Sequence, residues 1–301
     1  MRVSYHPGYY AEISEDHIFP MRKFEGLHAY LLSRKVIRPQ DVIQPRQIDF
    51  RHLHLVHTRR YVSAIMNGTL EQKEARRIGL PWTKSLAVRS RLAVQGTLNA
   101  AMMALEDGIA GNLAGGTHHA HPEHGEGFCV FNDVPVAIRV LQWSKWVSRV
   151  LIVDCDVHQG NGTAHIFADD PNVYTFSMHG DRNYPFKKAQ SDRDVPLEDG
   201  MTDNQYLDIL ENELSYILQN FSPDLVCYLG GTDPLSTDKY GRMNMTLNGL
   251  RNREELVIST ITNLNLPLLL LLSGGGYGPS IDETVKAHAQ MFEVASAYEI
   301  N

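Results

Sequence analysis

Short apolar runs that alternate with helix-patterned stretches are the feature that most restricts the fold of this chain. The apolar, strand-like runs fall at residues 2–5, 149–153, 173–178, 224–229 and 268–272. The stretches with helical spacing fall at residues 21–35, 85–106, 134–142, 162–167, 204–219, 247–263 and 280–298. This alternation is typical of a parallel sheet covered by helices. We therefore predict an α/β fold.

The composition adds limits on partners and location. No linker-like stretch interrupts the 301 residues, so we predict one domain over residues 1–301. The formal charge of −7 is unlike the basic surface of most nucleic-acid-binding proteins, and we expect no nucleic-acid partner. Neither a signal-peptide-like start nor an 18-residue apolar run is present, which favours a cytoplasmic protein without a membrane partner. Cys129, Cys155 and Cys227 are expected to be reduced and buried. The sequence leaves the oligomeric state open.

Reactive side chains follow the predicted strands at their carboxyl ends. The run RVLIV continues into DCDVHQGNG, LVCYLG into GTDPLSTD, and LLLLL into SGGGYG. A further stretch, GNLAGG, continues into two adjacent histidines. In open α/β sheets, ligands bind in the crevice beyond these strand ends. One cleft should therefore collect histidine, aspartate and tyrosine side chains.

The DxDxH segment has the pattern of a metal site. Asp154, Asp156 and His158 alternate, so an extended backbone directs all three side chains to one side. Two carboxylates and an imidazole that are buried together favour a divalent cation, and these ligand types suit zinc, with Fe²⁺ as a substitute. Asp233 follows the next strand and is the expected third ligand. The alternatives are a capped turn with solvated charges at 154–158 and an ordinary Asp-Pro turn at 233–234.

Four motifs carry a resemblance to a known family. In order along the chain they are GGTHHAHPEHGEGFCVFND, VDCDVHQGNGT, YLGGTDPL and SGGGYG. They resemble the motifs of the histone deacetylase superfamily, the zinc-dependent amidohydrolases that also include acetylpolyamine and acetoin-utilisation proteins. Within this superfamily, the resemblance is closest to the branch called class IV, as judged from the segments HIFPMRKF, HQGNG and the following YP. The resemblance implies an arginase/deacetylase fold, with a central, mainly parallel sheet and the active site at the C-terminal ends of the strands.

The resemblance also implies roles for particular residues. It implies that zinc is bound by Asp156, His158 and Asp233. It implies catalytic or orienting roles for His118, His119, Tyr277, Asp154 and Asn161. It implies substrate contacts from Phe128, Gly127, Tyr184 and Gly275. It implies a structural potassium ion near Asp154, Asp156, His158, Ser177 and Met178.

The partners of the two adjacent histidines predict different protonation states. The carboxylate of Asp154 favours a charged His118. Asn161 stands where many members of the family have aspartate, and its amide orients His119 without adding charge. We therefore expect His119 to act as general base and then acid, with His118 as an electrostatic partner and Tyr277 polarising the substrate carbonyl.

The predicted reaction is zinc-dependent hydrolysis of an acyl-amide. The substrate is an acylated lysine in a protein or peptide, or an acylated small amine such as a polyamine or metabolite. A ureohydrolase would need further ligands for a second metal, and a non-catalytic acyl-lysine-binding module would lack a functional residue. These motifs supply three ligands and lack no functional residue, so they favour the deacylase over both alternatives, which stay open. Several remaining histidines are expected outside the metal site: His121, His124, and the packing or surface residues His52, His54 and His57 of a predicted helix. Residues 187–194 are expected to form a solvated loop.

Overall fold

In the computed structural model, which describes residues 1–273 and 275–298, eight strands form one parallel sheet. The strands are β1 (Val3–Ser4), β2 (Val42–Ile43), β3 (Ile109–Asn112), β4 (Val150–Asp154), β5 (Val173–Gly180), β6 (Arg193–Leu197), β7 (Leu225–Leu229) and β8 (Leu268–Leu271). Their order across the sheet is β2-β1-β3-β8-β7-β4-β5-β6, and each neighbouring pair is parallel. Gly274 of the SGGGYG motif lies outside the described residues. The predicted α/β class is confirmed.

The described residues contain ten α-helices. They are α1 (Lys23–Ser33), α2 (Phe50–Leu53), α3 (Arg59–Asn67), α4 (Gln72–Ile78), α5 (Lys84–Asp107), α6 (Asp133–Trp143), α7 (Asn161–Phe167), α8 (Asp203–Asn220), α9 (Leu247–Asn263) and α10 (Ile281–Ala295). Three 3-10 helices add Pro7–Tyr9, Pro39–Asp41 and Ser296–Tyr298. Helix α5 packs against α6 and β3, while α10 packs against α1 and α9.

Burial on both faces of the sheet explains the continuous apolar runs of the central strands. Every residue of β4, β7 and β8 is buried, including the four consecutive leucines of β8. A parallel strand that is covered on both faces reads as a continuous apolar run rather than an alternating one. These strands therefore form the middle of the hydrophobic core.

Local signals set the ends of several helices. Thr83 caps α5 by accepting a hydrogen bond from the Leu86 N–H, and the helix ends before Gly108, whose φ is +86°. Thr202 caps α8 in a capping box with Gln205. Such caps satisfy backbone N–H groups that the first turn of a helix leaves without partners.

Two local predictions were wrong. Residues 187–194 do not form only a loop, because Arg193 and Asp194 begin the edge strand β6. Only one of its five residues, Leu197, is buried, and it contains Pro196, which an edge position tolerates. Of the three histidines that were placed on one helix, only His52 lies in α2, since that helix ends at Leu53. His57 is nevertheless buried, so its packing role is confirmed.

The cysteines are free and buried, as the sequence predicted. Burial raises the pKa of the Cys155 thiol to about 12 and raises the pKa values of Cys129 and Cys227 as well. A thiol in such an environment is a poor nucleophile. Across the described residues, no helix combines the length and apolarity that crossing a membrane requires.

Candidate metal centre and active site

The ends of β4 and β7 bring three candidate metal ligands together. Asp154 ends β4 and pairs in register with Leu229, the last residue of β7. Asp156 and His158 therefore leave the sheet beside the segment that carries Asp233. One ligand atom from each of Asp156, His158 and Asp233 lies within 4.8 Å of the other two.

Hydrogen bonds fix the two carboxylates of this trio. His158 Nδ1 lies 2.9 Å from Asp156 Oδ1 and 3.1 Å from Asp233 Oδ2. The second oxygen of Asp156 accepts a hydrogen bond from Ser273 Oγ at 2.6 Å, and that of Asp233 accepts one from the Val157 N–H at 2.9 Å. One oxygen of each carboxylate is thus anchored by a neighbouring group, the outer support that metal ligands commonly have, and the other oxygen faces His158.

The electrostatics of the trio fit a cation. Burial, reinforced by the charge of Asp156, raises the pKa of Asp233 to about 7. Burial alone would lower the pKa of His158, but hydrogen bonds with the two carboxylates raise it to about 10. Two negative charges buried this close destabilise each other unless a positive charge lies between them, and either a protonated His158 or a cation bound by all three side chains can supply it. Two carboxylate oxygens and one imidazole nitrogen suit zinc or Fe²⁺ and leave a coordination position for water or substrate.

The adjacent histidines have different partners and different basicity. His118 Nδ1 lies 2.6 Å from Asp154 Oδ2, and His119 Nδ1 lies 2.7 Å from Asn161 Oδ1. Burial lowers the pKa of His118, but Asp154 and Asp156 outweigh it and raise the value to about 9. Burial and the neighbouring His118 and His158 hold the pKa of His119 well below its usual value. One ring is therefore charged near neutral pH while the other is neutral.

The start of α6 holds the loop that carries both histidines. Asn132 Nδ2 donates to the backbone oxygen of Ala120 at 3.0 Å. The buried carboxylate of Asp133 accepts hydrogen bonds from the N–H groups of Gly116, at 2.9 Å, and Thr117, at 2.7 Å. These contacts fix the backbone on both sides of the histidine pair.

A cavity of about 430 Å³ opens above the trio and the histidine pair. Its lining includes the predicted residues His118, His119, Gly127, Phe128, Asp156, His158, Tyr184, Gly275 and Tyr277. The Tyr184 ring packs edge-on to His119 with 5.1 Å between ring centroids, and Phe128 lies 6.1 Å from the Tyr277 ring. Three predicted residues do not line the cavity but contact histidines that do: Asp154, Asn161 and Asp233.

Two glycines leave space that a side chain would fill. Gly127 has φ of +56°, and a Cβ atom there would lie 2.6 Å from Cδ2 of His119. A Cβ atom on Gly275 would lie 2.1 Å from Oδ2 of Asp233. Both distances are well inside van der Waals contact, so side chains at these positions would displace a histidine or a candidate metal ligand.

Tyr277 is held beside the cavity by its backbone and its ring. Its N–H donates to Asp238 Oδ2 at 2.6 Å, and its ring packs edge-on to Tyr240 at 4.8 Å between centroids. Burial and the nearby carboxylates of Asp233 and Asp156 raise its pKa well above the usual value. The hydroxyl therefore stays protonated and can donate a hydrogen bond.

The predicted potassium site remains a prediction. Ser177 and Met178 lie on β5 and are buried, and Ser177 is the register partner of Asp154. Ser177 Oγ also lies 2.9 Å from His179 Nδ1.

Sequence reasoning missed Lys23 and Glu126. Lys23 is 1% exposed, and its Nζ donates to the backbone oxygen of Gly275 at 2.5 Å. Burial lowers the pKa of Lys23 to about 7. Its position within HIFPMRKF gave no signal of this contact, because Gly275 lies 252 residues away. Glu126 had one signal, an acid inside a glycine- and histidine-rich loop.

His121, His124 and Glu126 form a second group of candidate metal ligands among the described residues. The two rings stack at 4.6 Å between centroids, and neither histidine belongs to the first trio. Arg77 Nε donates to Glu126 Oε2 at 2.5 Å, so a guanidinium already supplies a positive charge there. This group is a weaker cation site than the trio.

Sequence comparisons relate this chain to known proteins. A family model described as "Histone deacetylase domain" matches residues 17–292. An uncharacterized protein of Picosynechococcus is 47% identical over 293 residues, covering 97% of each chain. Histone deacetylase 2 of Arabidopsis thaliana is 31% identical, covering 87% of this chain and 70% of its own. The acetoin utilization protein AcuC of Staphylococcus aureus is 28% identical, covering 87% and 73%.

Solved structures agree with the fold. A crystal structure of an HDAC homolog complexed with SAHA superposes with a TM-score of 0.84 at 24% identity, covering 100% of this chain and 85% of its own. An HDAC homolog from Aquifex aeolicus superposes with a TM-score of 0.82 at 23% identity, covering 99% and 84%. The predicted arginase/deacetylase fold is confirmed.

Proposed function

This chain belongs to the histone deacetylase family, and from that premise we propose that it is a metal-dependent hydrolase of acyl-amides. The proposed substrate is an acylated lysine or an acylated small amine. The observation that carries the proposal is the convergence of the ligand trio, two differently partnered histidines and a tyrosine hydroxyl on one cavity. The narrower likeness to class IV stays a prediction.

The trio provides the proposed metal site. A divalent ion bound by Asp156, His158 and Asp233, with zinc preferred and Fe²⁺ a substitute, would lower the pKa of a water molecule and polarise the substrate carbonyl. The hydrogen bonds to Ser273 and Val157 hold the ligands in place before the substrate arrives.

The remaining roles follow from the protonation states. Neutral His119 takes a proton from the attacking water and later delivers one to the leaving amine nitrogen. His118, kept charged by Asp154, stabilises the negative charge that develops beside it. Tyr277 donates its hydroxyl proton in a hydrogen bond to the carbonyl oxygen, where that charge accumulates.

The cavity walls suit an extended alkyl chain. Phe128 and Tyr184 present aromatic rings, while Gly127 adds no side chain. Apolar walls with a few placed polar groups are typical of ligand sites. We propose that the methylene chain of lysine, or of a small amine, lies between these rings.

Exposed arginines in the cavity lining indicate which charged groups on a substrate would favour binding. Arg77, Arg182 and Arg242 line the cavity, and their side chains are 50%, 74% and 55% exposed. Arg182 and Arg242 share one carboxylate, that of Asp199. Unneutralised positive charge there attracts anionic groups. We propose that acidic residues flanking the acyl-lysine, or an anionic group on a small substrate, favour binding.

Hydrolysis by metal-loaded protein tests this function. Zinc-loaded protein is incubated with one peptide scaffold that carries acetyl, trifluoroacetyl and longer acyl groups on lysine, together with an acetylated polyamine. We expect release of the acyl group from at least one substrate, loss of activity after chelation, and recovery when zinc is restored. Activity that persists without metal would contradict the proposal, as would a metal-loaded protein that binds these substrates without hydrolysing them. Two metal ions per chain would instead favour a ureohydrolase.

A further inference from the structure

Glu126 is a buried carboxylate that the reaction outlined above does not use. It is 3% exposed and lies in the loop that follows the histidine pair. Its Oε1 accepts a hydrogen bond from Asn161 Nδ2 at 2.6 Å. The other end of the same amide, Asn161 Oδ1, lies 2.7 Å from His119 Nδ1. Glu126, Asn161 and His119 thus form one continuous chain of hydrogen bonds, which we call the relay.

The charge of Glu126 decides which way the Asn161 amide points. An ionised carboxylate accepts hydrogen bonds and donates none, so it must face the NH₂ group of the amide. A flipped amide would set its carbonyl oxygen against the carboxylate, leaving two acceptors in contact. With NH₂ toward Glu126, Oδ1 is the atom that faces His119. That oxygen in turn requires a proton on Nδ1 of the ring.

We propose that Glu126 is a positioning residue that, through Asn161, holds His119 in the tautomer with a proton on Nδ1 and a free lone pair on Nε2. This inference rests on the proposed function, in which His119 is the general base. A base that accepts a proton through Nε2 must present that nitrogen unprotonated, and the relay fixes this form before the substrate binds.

The surroundings of Glu126 keep it ionised. Its second oxygen accepts a hydrogen bond from Arg77 Nε at 2.5 Å. Burial alone would raise the pKa of Glu126. That effect is outweighed by interactions with the side chains of His121, His124, Asn161 and Tyr184, which hold the pKa well below its usual range. The orientation of Asn161 therefore does not depend on small changes of pH near neutrality.

The relay supports His119 in a different way from that in which Asp154 supports His118. Asp154 touches His118 directly and stabilises the charged ring. Glu126 is one amide further from His119, so it sets the orientation of the partner while Asn161 keeps the carboxylate out of contact with the ring. Direct contact with a carboxylate would raise the pKa of the ring and increase its protonated fraction, which cannot act as a base.

The first test reads the tautomer without any turnover. Protein labelled with ¹⁵N-histidine is compared with a His119→Ala variant to assign the ring, and the ¹⁵N shifts and couplings of His119 are measured. We expect Nδ1 to carry the proton in the wild-type protein. Glu126→Gln should introduce the other tautomer or a mixture, because a neutral amide can face Asn161 in either orientation. A wild-type ring that is protonated on Nε2 overturns the proposal even if no variant folds.

The second test measures kcat of the variants. With an acyl-lysine substrate, Glu126→Gln should lower kcat roughly 10- to 100-fold, the scale of a lost hydrogen bond to a charged group. Glu123→Gln is the matched control, because it removes a negative charge from the exposed part of the same loop. Tyr184→Phe removes the hydroxyl contact with Glu126 and keeps the ring, so a matching loss there would assign the effect to that contact rather than to Asn161 and overturn the relay.

A double-mutant comparison separates the relay from a general loss of structure. Because Glu126 acts through Asn161, Glu126→Gln should cost little further rate when Asn161→Ala is already present. Equal losses in both backgrounds would overturn the proposal. If no substrate is hydrolysed, the proposed function fails while the tautomer measurement still decides the relay.

Discussion

His57 should make the stability of the fold depend on pH. The ring is 2% exposed and is held by two backbone groups. His57 Nε2 accepts a hydrogen bond from the Asn132 N–H at 2.9 Å, and Nδ1 lies 3.1 Å from the His121 backbone oxygen, to which it donates. A second proton on Nε2 would face the Asn132 N–H and break that bond. The folded protein therefore needs the neutral ring.

The size of the effect follows from the pKa of His57. Burial lowers that pKa from 6.5 to about 4. Because one pKa unit is equivalent to about 1.4 kcal/mol, this depression corresponds to about 3 kcal/mol. Between these two values the unfolded chain binds a proton that the folded chain does not, so the free energy of unfolding decreases as the pH falls. The contribution is fully present above pH 6.5 and is lost by about pH 4.

Urea unfolding of wild-type protein and a His57→Gln variant measures the effect. Glutamine can donate to the His121 oxygen and accept from the Asn132 N–H, but it does not titrate. Both proteins are unfolded with a chelator present, so that metal binding does not add its own pH dependence. Other titrating groups contribute equally to both and cancel in the difference.

We expect the stability advantage of the wild-type protein over the variant to shrink by about 3 kcal/mol between about pH 7.5 and about pH 4. The slope with urea should stay the same for the two proteins, which shows that the unfolded states match. Parallel stability curves across this range would refute the reasoning. They would mean that His57 accepts a proton without leaving its site.

Three further predictions concern the proposed active site. Tyr277→Phe should keep the packing against Tyr240 and the metal content but lower kcat by on the order of 10²–10³; normal turnover with bound metal would contradict its role as a donor. Asp233→Ala should lose metal and activity together, and elemental analysis beside a hydrolysis assay checks this; an unchanged metal content in the variant would exclude Asp233 as a ligand. Arg242→Glu should raise KM several-fold for peptides with acidic residues next to the acyl-lysine and lower it for basic ones; identical KM values would exclude a charge-selective entrance.

The middle of the sheet was predictable because burial is written into its sequence. Strands β4, β7 and β8 are covered on both faces and read as unbroken apolar runs. The edges had no such signal. Strand β2 has two residues, and β6 has one buried residue among its five, so both depend on pairing with a neighbour rather than on their own composition.

The gathering of the candidate site was predictable for a topological reason. Parallel strands all end at one edge of the sheet, so Asp156, His158 and Asp233 had to lie near one another once the strands were identified. Lys23 and Glu126 were not predictable in this way. Lys23 meets Gly275 across 252 residues of sequence, and Glu126 meets Asn161 across 35. Contacts of this kind follow from loop packing, which local patterns do not encode.

The different basicity of the adjacent histidines shows what a single partner can decide. His118 and His119 are both buried, and burial lowers the pKa of both rings. Only His118 is hydrogen-bonded to a carboxylate, that of Asp154, and Asp154 together with nearby Asp156 reverses the direction of its pKa. His119 touches an amide oxygen, which attracts the Nδ1 proton but carries too little charge to overcome burial and the neighbouring positive ring. A carboxylate partner on one ring and an amide partner on the other therefore help to make two neighbouring, buried imidazoles a charged group and a base.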